Sequence, residues 1–191
     1  FTGMLENAKD PSSATTNANM WLREQAQSIG SVNNPKQLLS KQTDRLVTSI
    51  TVGRMYLFMY DPKMKDELPY YDRFPLIFPF RRVKGGFYGI NMHYLPHMLR
   101  AKLMDALYTL ANNQTYDDST RLRLSYALLH RASKFRYFEP CVKHYLNNHV
   151  RTRFLWVPAD QWETALFLPL ERFNVNKRTV FNDSQKMTRR L

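Results

Sequence analysis

The hydrophobic positions in the centre of the chain follow the two-residue period of β-strands. From residue 46 to residue 59 they are mixed with β-branched and aromatic neighbours, which is typical of a strand. A second segment carries four apolar side chains on one face, and its two prolines predict an edge position or a bulge because proline lacks a backbone donor. These residues are Phe74, Leu76, Phe78 and Phe80, with Pro75 and Pro79 between them.

The pair Gly85-Gly86 separates two extended runs and is the clearest turn signal in the chain. Glycines accept the positive φ angles of a tight hairpin, so residues 87–94 are predicted to fold back on residues 78–83. Three or four strands within about 50 residues, crowded with aromatic side chains, predict a small SH3-like β-barrel at about residues 46–95.

Helical spacing of apolar residues follows this segment. Pro96 begins one predicted helix, and Asp117-Asp118-Ser119 caps a second one. A third helix is expected from Glu139 to about Asn148. A strand at 150–157, a short helix at 158–164 and an extended return at 165–173 complete a core that we expect to span residues 35–173.

Both ends of the chain are more polar than its centre. Residues 1–34 contain only a short apolar stripe and are predicted to form an N-terminal arm. Asn34-Pro35 is a cap and first-turn pair that predicts a helix to about Arg45, although the same segment could equally be a linker. Residues 174–191 are predicted to form a basic C-terminal tail. The fold class is therefore α+β, with an SH3-like β-barrel, a helical section, a short returning β element and extended terminal arms.

Composition narrows the function classes. The 191 residues include 28 Lys and Arg against 16 Asp and Glu, which gives a formal charge of +12. One cysteine excludes an internal disulfide framework. No apolar run approaches the roughly 20 residues that span a bilayer, so we expect no membrane partner. No phosphate-binding glycine loop or nucleophile elbow occurs, and we expect no cofactor.

Two short spacings invite a catalytic or metal-binding interpretation. His93 and His97 lie four apart, as zinc ligands on a helix do, but Pro96 prevents a continuous helix through the pair. Cys141 and His144 lie three apart on a predicted helix and have the residue types of a nucleophile and its base. No orienting third residue or oxyanion loop accompanies them, so we interpret the cysteine as buried core and predict no enzyme.

An acidic cluster stands out in this basic chain. Carboxylates gathered in this way hold Mg²⁺ in nucleases, although such sites usually have their carboxylates on strands. Here they lie in one loop, which favours a solvated loop or a patch that pairs with a basic neighbour. The residues are Asp61, Asp66, Glu67 and Asp72.

The excess of positive charge is the stronger functional signal. Lys and Arg near phosphates release counterions and give affinity for nucleic acid that does not depend on sequence. The same side chains suit an acidic protein partner or a solvated surface, because clustering in sequence is not clustering in space. The candidate binding residues are Arg81, Arg82, Lys84, Arg100, Lys102, Arg121, Arg123, Arg131, Lys134, Arg136, Arg151, Arg153, Lys177, Arg178, Arg189 and Arg190.

Two runs of aromatic residues and prolines, Leu68–Pro79 and Gly85–Pro96, resemble a segment of virion-associated proteins of tailed bacteriophages, particularly the T-even-like myoviruses. The resemblance covers roughly residues 53–110. It implies a place in the phage particle and carries over no catalytic residue. The arm at 1–34 and the basic tail lie outside it.

These observations predict a structural component of a tailed-phage virion, in a neck, baseplate or head-completion position and assembled in the host cytoplasm. It would bind other virion subunits within a multi-subunit assembly and lay its basic face against double-stranded DNA or an acidic partner. The alternative is a DNA-binding protein without sequence preference that protects or organises DNA ends. A third hypothesis is a metal-dependent nuclease that uses the acidic loop.

Overall fold

The computed structural model describes residues 34–95, 97–111, 113–135, 138–162, 165 and 168–189. Six strands form one antiparallel sheet in the order β1-β6-β2-β3-β4-β5. The strands are β1 (Leu46–Val47), β2 (Met55–Leu57), β3 (Leu76–Val83), β4 (Gly86–Asn91), β5 (Val142–Leu146) and β6 (Phe154–Val157). The α+β class is thus confirmed, and residues 1–33 of the N-terminal arm predicted at 1–34 lie outside the described residues.

The sheet is open, so the SH3-like barrel predicted at 46–95 is not confirmed. Strands β1 and β2 are only two and three residues long, and both pair with β6 instead of with each other. The other end of the sheet is completed by β5, which pairs with β4. Two of the six strands therefore come from outside the segment that was expected to close on itself.

Four described α-helices accompany the sheet: α1 (Pro35–Lys41), α2 (His97–Ala111), α3 (Asp118–Ala132) and α4 (Lys177–Arg189). The predicted caps are confirmed, because the side chain of Asn34 accepts from the Lys36 amide at 3.0 Å and that of Asp117 from the Thr120 amide at 2.9 Å. None of the described helices combines the length and the apolar character that a bilayer crossing requires.

Two sequence predictions about regular structure were wrong. The segment predicted as a helix from Glu139 forms a 3₁₀ turn, with Pro140 near its start, and then β5, because Val142–Leu146 pair with β4 and Tyr145 stacks on Phe87. The C-terminal segment, expected to be extended, contains α4. Val180 and Ser184 lie one turn apart on that helix and are both buried, which anchors it to the core.

The two faces of the sheet carry separate hydrophobic cores. On the helix-covered face, Phe78 and the strand residues on the same side as Phe78 pack against Leu107 of α2, Leu129 of α3 and Val180 of α4. The opposite face carries a cluster of mostly aromatic side chains: Ile50, Tyr56, Phe58, Tyr60, Ile77, Phe87, Tyr145 and Phe154. Ring centroids within this cluster lie 5.0–6.2 Å apart, the spacing of favourable aromatic pairs.

The predicted bulge lies in β3. Pro79 pairs with Gly89 and Arg81 pairs with Tyr88, so Phe80 is the extra residue. The four alternating apolar side chains from Phe74 to Phe80 all enter the helix-covered core, as predicted. The edge position is wrong, however, because β3 lies between β2 and β4.

Phe78 tests the packing of the helix-covered core. Its side chain is fully buried and its ring meets Trp162 edge to face at 5.0 Å. We expect Phe78→Ala to lower the free energy of unfolding by about 3–5 kcal/mol, measured by denaturant titration. Phe135→Ala is the control, because Phe135 is 61% exposed and its truncation should have little effect. A loss below about 1 kcal/mol for Phe78→Ala would contradict this packing.

Gly86 tests the pairing of β4 with β5. A Cβ atom at this position would overlap the carbonyl oxygen of Tyr145 on the neighbouring strand. We expect Gly86→Ala to destabilise the protein by about 1–3 kcal/mol, because the two backbones must separate. Gly85 has φ +78° and open space around it, so Gly85→Asn is the matched control and should be tolerated. Equal melting temperatures for the two variants would refute the close approach.

Candidate nucleic-acid interface

A cleft of about 650 Å³ opens beside the aromatic core, next to the β3–β4 turn. Three segments line it: residues 48–50, residues 82–87 of the hairpin, and residues 147–154 before and within β6. Phe87 and Phe154 form part of its lining and are held by neighbouring rings, since their centroids are 5.8 Å apart and Phe154 lies 5.0 Å from Phe58. Both rings are almost completely buried, at 2% and 8% exposed, and the half-buried side chains of Val83 and Val150 supply the more accessible apolar lining.

Three arginines converge on this cleft. Arg82 comes from β3, while Arg151 and Arg153 come from the segment that leads into β6. Neutral hydrogen-bonding side chains complete the polar lining, and the described lining residues include no Asp or Glu. These neutral residues are Thr48, Ser49, Asn147 and Thr152. Guanidinium groups with hydroxyl and amide neighbours form the kind of surface that binds phosphate groups.

Each arginine is held differently. The guanidinium of Arg82 donates a hydrogen bond to the carbonyl oxygen of Ile50. Arg151 pairs with Asp61 at 3.1 Å, and this hydrogen bond lowers the pKa of the Asp61 carboxyl. Arg153 is exposed, and in the described part of the chain its guanidinium has no hydrogen bond or ion pair. Two of the guanidiniums are therefore positioned, and the third is available to a ligand.

The bulge in β3 decides which arginine reaches the cleft. With Phe80 as the extra residue, Arg82 pairs with Phe87 of the aromatic face, and Arg81 pairs with Tyr88 of the helix-covered face. The guanidinium of Arg81 lies 4.4 Å from the Tyr88 ring centroid, a cation–π contact. The hairpin therefore sends its two adjacent arginines to opposite faces of the sheet.

The structure places the other predicted residues in several locations. Lys84 is exposed at the hairpin turn, beside the cleft. Arg123, Arg131 and Lys134 are exposed on or just after α3, which packs on the other face of the sheet through Leu129. Arg178 is exposed on α4. The side chains of Lys102, Arg136, Arg189 and Arg190 lie outside the described residues.

Three predicted binding residues have other roles. Arg100 was expected at the surface, but it is fully buried and donates to the carbonyl oxygens of Leu95 at 2.7 Å and His93 at 3.0 Å. Burial lowers its pKa to about 10. Arg121 donates to the Tyr116 carbonyl at 3.0 Å and contacts Asp118 at 3.4 Å.

Lys177 is the third of these residues. It forms an ion pair with Glu171, and burial lowers the pKa of its ammonium group to about 8. The ammonium group of Lys177, a predicted binding residue, is therefore paired with the Glu171 carboxylate.

Comparison with known protein families adds the decisive observation. The model of one family, described as phage T4 terminal DNA protecting protein, matches residues 19–189. The chain belongs to this family. The match confirms the resemblance to T-even-like phage proteins at the level of the family, and it extends that resemblance from residues 53–110 to nearly the whole chain. No curated protein and no solved structure matched the chain.

Sequence reasoning missed the neutral side chains of the cleft, although it included its three arginines. Thr48, Ser49, Asn147 and Thr152 lie about 100 residues apart in two groups, and neither group has a recognisable motif. The pairing of β6 with β1 brings the two groups together. No local pattern in the sequence of this family member signals that pairing.

Within the part of the chain that the structure describes, the carboxylates of the acidic cluster are not gathered into one site. Asp72 is buried, whereas Asp66 and Glu67 are exposed in the loop before it. Within the described residues, no group of three His, Cys, Asp or Glu side chains is arranged to hold a metal ion. Cys141 is buried, and burial raises the pKa of its thiol to about 12. That thiol is therefore protonated at neutral pH and is a poor nucleophile.

His93 and Asp72 form a buried polar pair. His93 Nδ1 donates to the Asp72 carboxylate at 2.6 Å, and both side chains are almost completely buried. Burial and the charges of Arg100 and Lys177 lower the pKa of His93 by more than Asp72 raises it. The ring is therefore neutral, and its Nε2 atom has no hydrogen-bond partner. Protonating this atom would bury an unpaired donor.

The pair predicts a pH dependence of stability. Because the folded pKa of His93 is lower than its unfolded value, the unfolded chain takes up the proton first as pH falls. We expect the free energy of unfolding to decrease from about pH 7 to about pH 5, with a contribution from His93 of at most about 1.4 kcal/mol per pH unit. Denaturant titrations of the wild type and His93→Gln measure this contribution, and the variant should have the flatter profile. Parallel profiles would contradict the assignment.

Proposed function

We propose that this protein binds the ends of double-stranded DNA and shields them, with the arginine-lined cleft as its principal contact. The observation that carries the proposal is the convergence of Arg82, Arg151 and Arg153 on one cleft whose described lining has no carboxylate. The family description, terminal DNA protecting protein, supports the same interpretation. The formal charge of +12 favours approach to DNA from any direction.

Protection in this proposal comes from occupying the end, not from a chemical reaction. A bound protein denies an exonuclease access to the terminal nucleotides, and the phosphate contacts need no base sequence. Release of counterions on binding supplies much of the affinity, so the complex weakens steeply as salt is raised. The buried positions of Asp72 and Cys141 are consistent with a binding role.

A second candidate function is attachment to other virion proteins. Three aromatic side chains are exposed on the α2–α3 pair or just after it: Tyr108 (42%), Tyr126 (40%) and Phe135 (61%). Exposed aromatic residues beside arginines are typical of protein interfaces, and Arg123, Arg131 and Lys134 lie on the same helix or just beyond it. We propose this surface as the virion contact, on the face of the sheet away from the cleft.

Salt dependence of DNA binding tests the proposed contact. We expect Arg153→Ala to weaken binding to linear duplex DNA and to reduce the slope of log K against log salt by about 1, because one phosphate contact is lost. Arg123→Ala removes an equally exposed arginine from α3 and is the control. Fluorescence anisotropy at several salt concentrations measures both. Equal slopes for the two variants would show that the cleft is not the principal DNA contact.

A further inference from the structure

The shape of the cleft limits which part of a DNA end it can hold. Proteins that read the major groove of duplex DNA insert a helix or a two-stranded ribbon into a groove about 12 Å wide. The cleft is concave, and its volume of about 650 Å³ is that of a site for one small ligand. A concave site of this size suits one or two nucleotides of a single strand.

The lining supplies a partner for each part of a nucleotide. Arg82 on one wall and Arg151 and Arg153 on the other carry the positive charge. The apolar part of the lining is formed by the half-buried side chains of Val83 and Val150, together with the buried rings of Phe87 and Phe154. Unpaired bases bind apolar and aromatic surfaces without sequence preference. Stacking between neighbouring base pairs hides the same surfaces within a duplex.

Charge favours the terminal phosphate over an internal one. A phosphomonoester carries about −1.5 to −2 at neutral pH and offers three acceptor oxygens, which exceeds the single charge of a phosphodiester. The guanidinium of Arg82 is fixed by the Ile50 carbonyl and that of Arg151 by Asp61, so these two groups lose little freedom on binding. Arg153 has no such partner among the described residues and remains available.

We infer that the cleft binds the unpaired end of one DNA strand, with its terminal phosphate on the arginines and its last base against the apolar side chains of the lining. This inference rests on the proposed function and makes it more specific. The protein selects a frayed or overhanging terminus by its monoester phosphate. The duplex next to this end makes only salt-sensitive contacts with exposed basic residues outside the cleft.

Competition binding with four matched duplexes tests the inference. One is blunt and ends in hydroxyl groups, one has a short single-stranded extension ending in a phosphate, one has the same extension ending in a hydroxyl, and one is closed at both ends by hairpin loops. The two extended forms are prepared with 5′ and with 3′ extensions. We expect the phosphorylated extension of at least one polarity to bind about tenfold more tightly than the blunt duplex, and dephosphorylation to remove most of that gain.

Variants assign the preference to the cleft. Arg153→Ala should abolish the gain from the terminal phosphate, whereas Arg123→Ala should retain it. Thermal melting of both variants checks that each is folded. Persistence of the preference in Arg153→Ala would overturn the placement in the cleft.

The outcomes also separate this inference from the proposed function. If all open-ended duplexes bind equally and the closed duplex binds more weakly, the protein recognises ends but the inference about the unpaired phosphorylated strand is wrong. If the closed duplex binds as well as the open ones, recognition of ends itself fails, and the inference fails with it.

Discussion

The buried carboxylate of Asp72 joins three segments of the chain that are far apart in sequence. It accepts hydrogen bonds from the backbone amides of Phe74 and Arg172 and from the side chains of Asn91 and His93. Burial raises the pKa of this carboxyl, but the hydrogen bonds from His93 and from the Phe74 and Arg172 amides lower it by more, so the group stays ionised. One anion thus joins the entry to β3, the end of β4 and the segment before α4. A buried charge of this kind is tolerated only because its acceptor sites are filled.

The cleft depends on that framework and on one irregularity in it. The sheet fixes β3 beside β4, and the extra residue Phe80 then turns Arg82 toward the aromatic face. Bulges often redirect a side chain near a binding site. This bulge places the guanidinium of Arg82 at the cleft and that of its neighbour, Arg81, over the ring of Tyr88. Packing and charge placement are therefore consequences of the same backbone feature.

Much of the local structure was predictable from the sequence, and little of the long-range pairing was. The caps at Asn34 and Asp117 and the Gly85-Gly86 hairpin follow from chemistry within a few residues, and the structure confirms them. The bulge followed from the proline pattern. The open sheet did not follow, because β6 joins β1 and β2 across about 100 residues. Arg100 shows the other limit, since its charge suggested a surface site while the carbonyl oxygens of Leu95 and His93 hold it in the interior.

The position of β6 between β1 and β2 has a consequence for synthesis on the ribosome. Strands β1 and β2 cannot pair with β6 until residues 154–157 have been synthesised. One wall of the cleft, formed by residues 147–154, belongs to the same late segment. Contacts between residues so far apart in sequence form slowly, because a long loop must close first. A nascent chain that stops short of β6 therefore carries many of the arginines but lacks the wall that completes the cleft.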